Sequence, residues 1–145
     1  MEKQYGIQEL WADLESVLTS AEGVKHIDLW NRNVEYIEED AAWERPAVFV
    51  EFGQIDWKPL KEDGTYRGRG TVFLHVVTDW DGDMSATWHL QRIVSGAVMG
   101  LCGEWPMVML QSRMNHDHEE IVETIVSFET RYLINVNEKR YTKDI

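Results

Sequence analysis

Apolar residues at the start of the chain recur at helical spacing. Ile7, Leu10, Trp11, Leu14, Val17 and Leu18 fall on one stripe, with Gln8, Glu9, Asp13 and Glu15 opposite. This is the pattern of an amphipathic helix, predicted from about Gly6 to Ala21, and Gly23 provides a stop. The period then shortens to two. Ile27 and Leu29 alternate with His26, Asp28 and Trp30, which predicts a strand over Val24 to Asn31. Residues 33–45 have no period and carry the acidic run Glu38-Glu39-Asp40. A loop of about a dozen residues is expected there, long enough in a compact domain to suggest a function.

Pro46 opens a nearly continuous apolar run, Ala47-Val48-Phe49-Val50-Glu51-Phe52, the mark of a central, well-buried strand. Asp56 to Arg69 contains Pro59, Asp63-Gly64 and Gly68, with Gly70 directly after it, which predicts a long hairpin connection with a turn at Glu62-Asp63-Gly64-Thr65. Thr71 to Thr78 reads as a third strand. Past Asp79-Trp80-Asp81-Gly82-Asp83, the stripe Ala86, Leu90, Ile93, Val94, Ala97, Val98 and Leu101 predicts a second helix from Ser85 to about Cys102. Ser85 suits its N-cap and Gly103 its end, and the internal Gly96 and Gly100 suggest a closely packed neighbour. Met107 to Met114 reads as a strand, with His116-Asp117-His118 in the turn after it. Glu120 to Val136 then alternates over a long final strand with one face partly exposed.

The predicted order is α1-β1-β2-β3-α2-β4-β5. It implies an α+β fold: a mixed, mainly antiparallel five-stranded sheet with two helices on one face. A length of 145 residues suits a single domain over 1–145, with a polar, flexible tail at about 137–145. The charged fraction of 28% and hydrophobic fraction of 43% belong to a globular chain. No apolar run reaches the roughly 20 residues of a membrane span, and no secretion signal is read at the N-terminus. The lone cysteine, Cys102, forms no intrachain disulfide, so a reducing, intracellular setting is expected.

Charge works by exclusion. The net charge is −12, with 11 acids against 4 bases in residues 1–45 and 15 against 10 in the remainder. Such a chain is repelled by phosphate backbones, so specific nucleic-acid binding is not expected unless the bases cluster in space, as Arg67 and Arg69 begin to do. Seven tryptophans, Trp11, Trp30, Trp43, Trp57, Trp80, Trp88 and Trp105, lie mostly near element ends. They either cap the core's edges or serve protein interfaces, where tryptophan is enriched.

Catalytic chemistry has little to stand on. Asp79, Asp81 and Asp83 open like a calcium loop, but Met84 stands where the glycine belongs and Leu90 where the bidentate glutamate belongs. A solvated turn whose acids face a helix N-terminus explains the same residues. His116 and His118 are a conceivable metal pair lacking two further ligands at characteristic spacing, and a polar turn explains them as well. Cys102, at a helix end, reads as a small hydrophobe. Ser95-Gly96 lacks a nucleophile elbow, and no phosphate loop is present. No enzyme activity, cofactor or metal is expected. The rival to that expectation is a small metal-binding module or enzyme using Asp79, Asp81 and Asp83 or His116 and His118.

The element order, the strand Pro46 to Phe52, the long connection after it, the strand Gly70 to Val77, the helix from Ser85 and the ending Phe128-Glu129-Thr130-Arg131-Tyr132 together resemble the tail terminator (tail completion) proteins of long-tailed bacteriophages. The resemblance spans nearly the whole chain and rests on architecture rather than on a motif. It implies a structural protein forming a hexameric ring on the end of the tail tube and joining tail to head. Its expected partners are its own copies and tail tube or neck proteins. Its expected place is the host cytoplasm during assembly and then the virion tail, with acidic side chains lining a channel through which DNA passes. The Asp56–Arg69 hairpin would reach a neighbour, with Trp57 as anchor and Leu60, Tyr66, Arg67, Arg69 and Trp43 completing the contact set. The alternatives are another head–tail joining protein, or an adaptor that binds a peptide along a sheet edge.

Overall fold

A computed structural model describes residues 3–31, 43–80, 82–115 and 120–137. Most of the loop expected over 33–45, Asp81, His116, His118 and the tail from 138 onward lie outside the described residues. The elements follow the expected order: α1 Ile7–Thr19, β1 His26–Leu29, β2 Ala47–Pro59, β3 Thr65–Asp79, α2 Ser85–Met99, β4 Val108–Asn115 and β5 Ile121–Asn135. They build one five-stranded sheet in the order β1-β2-β3-β5-β4. β1 runs parallel to β2, and the other pairings are antiparallel, so the sheet is mixed.

Both helices cover the same face. Leu10, Leu14 and Leu18 of α1 and Leu90, Val94 and Val98 of α2 meet Val48, Val50, Val72, Leu74, Val76, Val126 and Phe128 of the sheet in one buried cluster. The i, i+4 spacing along each helix and the alternate-residue spacing along each strand are what bring these positions together.

The final strand departs from expectation. Ile121 through Phe128 are buried on both faces, and exposure begins only at Arg131. The helices cover Val122, Val126 and Phe128, whereas Ile121 joins Trp43, Ala47, Phe49 and Val77, with Trp30 against them, in a second cluster on the far face. A polar alternation therefore concealed a two-sided burial.

The β2–β3 connection also differs. Both strands continue through the segment expected to be irregular, and the turn is confined to residues 60–64. There Leu60 N–H donates to the Thr65 carbonyl at 2.8 Å, Asp63 Oδ1 accepts from Thr65 N at 3.1 Å, and Gly64 has φ 91°. Gly68 and Gly70 are strand residues because neighbouring side chains occupy the space of a Cβ. A Cβ at 68 would lie 2.6 Å from Trp57 Cζ3, and one at 70 would lie 2.8 Å from Ile55 Cγ1. Gly68→Ala must displace the Trp57 ring, an overpacking cost of about 1–3 kcal/mol. That exceeds the roughly 0.4–1 kcal/mol gained from a stiffer unfolded chain. A lowered urea midpoint at unchanged m-value is expected, and an unchanged midpoint would show that the ring does not need this seat.

α2 is shorter than its stripe. It ends at Met99 with Gly100 as cap, and Leu101 to Glu104 continue as turns. Ser85 is its first residue rather than its cap. Asp83 Oδ1 accepts the Ser85 N–H at 2.9 Å, and that bond lowers the Asp83 carboxyl below its ordinary value. Gly96 is exposed with nothing within 4 Å of a Cβ, so no neighbour packs closely there. Cys102, expected to pack, is exposed because the helix stops before it.

Candidate assembly interface

The far half of the β2–β3 hairpin and the end of β5 form a three-stranded arm whose two faces differ in chemistry. On the helix side, Trp57 pairs across from Gly68, and Gly68 from Tyr132. The Trp57 and Tyr132 rings lie 6.0 Å apart, Tyr132 lies 6.1 Å from Trp105, and Trp105 lies 5.3 Å from Tyr5, so a row of aromatics crosses the arm. Tyr5 is fixed by two backbone bonds with Leu133, at 2.9 and 3.1 Å. Burial pushes the Tyr132 phenol up to about 12. Trp57 keeps 39% of its surface exposed, and Leu60, Leu133 and Val136 are exposed elsewhere on the arm.

On the open side, cross-strand pairing aligns Lys58, Arg67 and Leu133 in one row and Asp56, Arg69 and Arg131 in the next. Four cations therefore share one exposed patch. Arg69 pairs with Glu129 at 2.9 Å, and Asp56 accepts a bond from Gln54 at 2.9 Å. Among the described residues Lys58, Arg67 and Arg131 have no ion pair. Arg67 and Arg131 line a groove with Tyr5, Leu60, Glu104, Pro106, Tyr132 and Leu133, and Glu104 is itself paired with Lys3.

Of the six residues expected at an interface, five come together here: Trp57, Leu60, Tyr66, Arg67 and Arg69. Tyr66 is half-buried beside the turn. Trp43 is elsewhere. It is 8% exposed and packs against Phe49 and His26, with Arg45 over its ring at 5.8 Å, so it belongs to the chain's own core.

At the opposite end of the sheet, Asp79 forms an ion pair with Arg45, and Asp83 holds the start of α2. These bonds give both carboxylates structural work. Among the described residues no group of three or more His, Cys, Asp or Glu is placed to hold a metal. Glu22, Asp79 and Asp83 line an open depression with Pro46, Ala86, Leu90 and Ile93, and Trp80 and Trp88 stand exposed at the same end. The β4 edge exposes Val108, Met109 and Leu110, with an irregularity at Leu110 that interrupts its pairing with β5.

The open face also holds a charged group absent from the sequence expectations. His75 is buried, its Nδ1 2.5 Å from Glu123 Oε2 and its Nε2 2.8 Å from Glu51 Oε1. Trp30 stacks on the ring at 3.7 Å with the planes 1° apart. Asn115 Nδ2 donates to the other Glu123 oxygen at 2.9 Å. Burial alone would raise the Glu123 carboxyl. The bonds from His75 and Asn115 and the charges of His75 and Arg113 instead hold it below its ordinary value. The available signal was a histidine and a glutamate inside strongly apolar strands.

No helix among the described residues is long and apolar enough to cross a membrane. No family model matches the chain, and no curated protein matches it. Among solved structures, the fold is similar to a chain of a native gene transfer agent virion particle, at 14% identity and a TM-score of 0.42, over 87% of this chain and 90% of that one.

Proposed function

We propose that this chain is a structural protein of the tailed-phage type that acts by assembly rather than catalysis, closing into a ring at the end of a tail tube and joining tail to head. The observation that carries the reading is the arm. A three-stranded extension exposes Trp57 on one face, cations with Leu133 on the other, and Leu60 and Val136 at its tip. Exposed tryptophan and arginine on a rigid element are the residues that anchor protein interfaces. The sequence resemblance to tail terminators points the same way, and the net charge of −12 suits a channel that DNA must pass without sticking.

Absolute mass in solution tests the reading. A discrete ring, expected as a hexamer, should form with the intact chain and be lost on combining Trp57→Ala with deletion of residues 60–66, at unchanged helix content by circular dichroism. Unchanged assembly would remove the arm from the interface. A strict monomer for the intact chain would favour the adaptor reading, for which the apolar β4 edge is the observation in hand.

A further inference from the structure

We infer that copies associate head to tail, the cationic open face of the arm in one copy docking on the acid-rich opposite end of the next. The inference rests on the self-assembly reading and assigns the two surfaces that assembly would use. Its starting point is an imbalance. In a chain of net charge −12, Lys58, Arg67, Arg69 and Arg131 gather on adjacent rows of one exposed face. The acids Asp56 and Glu129 lie among them and Glu104 borders the groove, and Arg69–Glu129 is the one ion pair these four cations make among the described residues. Arg69 and Arg131 face each other directly; Glu129 pairs with Arg69, which leaves Arg131 and Arg67 for an incoming anion. Leu60 and Leu133 border the patch, so an occupant must offer apolar surface as well as carboxylates.

A second copy of this chain meets both requirements at its other end. Glu22 lines the depression there together with Pro46, Ala86, Leu90 and Ile93, Glu120 bonds through its carbonyl to the backbone of Trp80, and the rings of Trp80 and Trp88 are exposed nearby. Guanidinium groups stack on such rings while pairing with carboxylates. The two surfaces cannot satisfy each other within one copy. Arg67 and Asp79 sit near opposite ends of β3, about 40 Å apart at the usual rise of a strand. Two copies repel in most orientations and attract in this one, which sets direction as well as contact. A contact between unlike patches of identical copies closes into a ring when its rotation permits. A nucleic-acid backbone is the other polyanion the patch could meet, and the chain's overall charge opposes it.

The test is a charge exchange read by light scattering behind size exclusion, at low and high salt. Arg67→Glu with Arg131→Glu reverses one surface, and Glu22→Lys with Glu120→Lys reverses the other. All four side chains are exposed, so melting temperatures should hold. Each double variant alone should associate at least about 30-fold more weakly than the wild type. An equimolar mixture should recover the wild-type mass, because each altered surface then meets its complement. High salt should weaken the wild-type assembly. Wild-type assembly by either double variant, or a mixture that fails to recover, overturns the inference while the ring reading stands. A monomeric wild type overturns the inference and favours the adaptor reading. Duplex DNA bound by the wild type and lost in Arg67→Glu/Arg131→Glu, at unchanged mass, would assign the patch to a polyanion instead.

Discussion

Replacing Trp105 with alanine is expected to lower the free energy of unfolding by about 3–5 kcal/mol. Its side chain is 0% exposed and is among the largest fully buried groups in the molecule. It follows the turns after α2, and its indole N–H donates to Asp13 of α1 at 2.7 Å while the ring meets Tyr5 and Tyr132 edge-on. One residue thus ties α1, the N-terminal segment and β5 together. Truncation leaves a void among aromatic walls that cannot collapse into it, and the cavity adds to the lost transfer free energy. Asp13→Asn retains an acceptor for the indole and should cost under about 1 kcal/mol. Urea unfolding followed by circular dichroism separates the two, and a loss below about 1 kcal/mol for Trp105→Ala would refute the clamp. With a domain's whole stability at about 5–15 kcal/mol, the alanine variant should stand close to unfolding at body temperature.

The second large effect is expected at Glu123. The side chain is 3% exposed and bonded to His75 and Asn115. Glu123→Ala would leave a buried His75 ring nitrogen and the Asn115 amide without their partner, with the partly exposed Glu51 as the only carboxylate still on the ring, beneath the stacked Trp30. Breaking a buried pair in this way costs about 3–5 kcal/mol. The pH dependence has a definite sign. The folded Glu123 carboxyl lies below its ordinary value of 4.5, so the unfolded chain binds its proton first as pH falls. Its contribution is therefore complete above about pH 4.5 and is lost as the pH drops through the lower, folded value. Glu123→Gln cannot titrate and should flatten that acid limb. An acid limb identical to wild type would show that Glu123 carries no such linkage. Replacing His75 and Glu123 together by apolar residues of similar volume should restore much of the loss, since a buried pair is seldom better than good packing.

The helices and strands were legible because each carries one strong period. Leu10, Leu14 and Leu18 mark a helix face by themselves, and Val48 to Phe52 mark a buried strand. Register was not legible, and the far face depends on it. His75 meets Glu123 and Glu51 diagonally across two strand pairs, since its direct partners are Ile125 and Phe49. The cationic patch was half visible for the same reason: Arg67 and Arg69 are near in sequence, whereas Lys58 and Arg131 reach them only through pairing. Gly68 and Gly70 misled because a loop glycine and a glycine under a tryptophan ring are spelled alike. Trp43, expected in the contact set, has Phe49 and His26 as neighbours, which place it inside.

The position of β5 has a consequence for biosynthesis. This strand leaves the ribosome after every other element, yet it lies inside the sheet between β3 and β4. Until it arrives, β3 carries one open edge of apolar residues and β4 has no strand to pair with. The sheet cannot be completed during translation of the earlier elements, and pairing β3 with β5 must close a long intervening segment, a topology associated with folding in milliseconds to seconds. Nascent chains should therefore be held by a chaperone, or lost to association through the β3 edge, in the interval before residues 121–135 emerge.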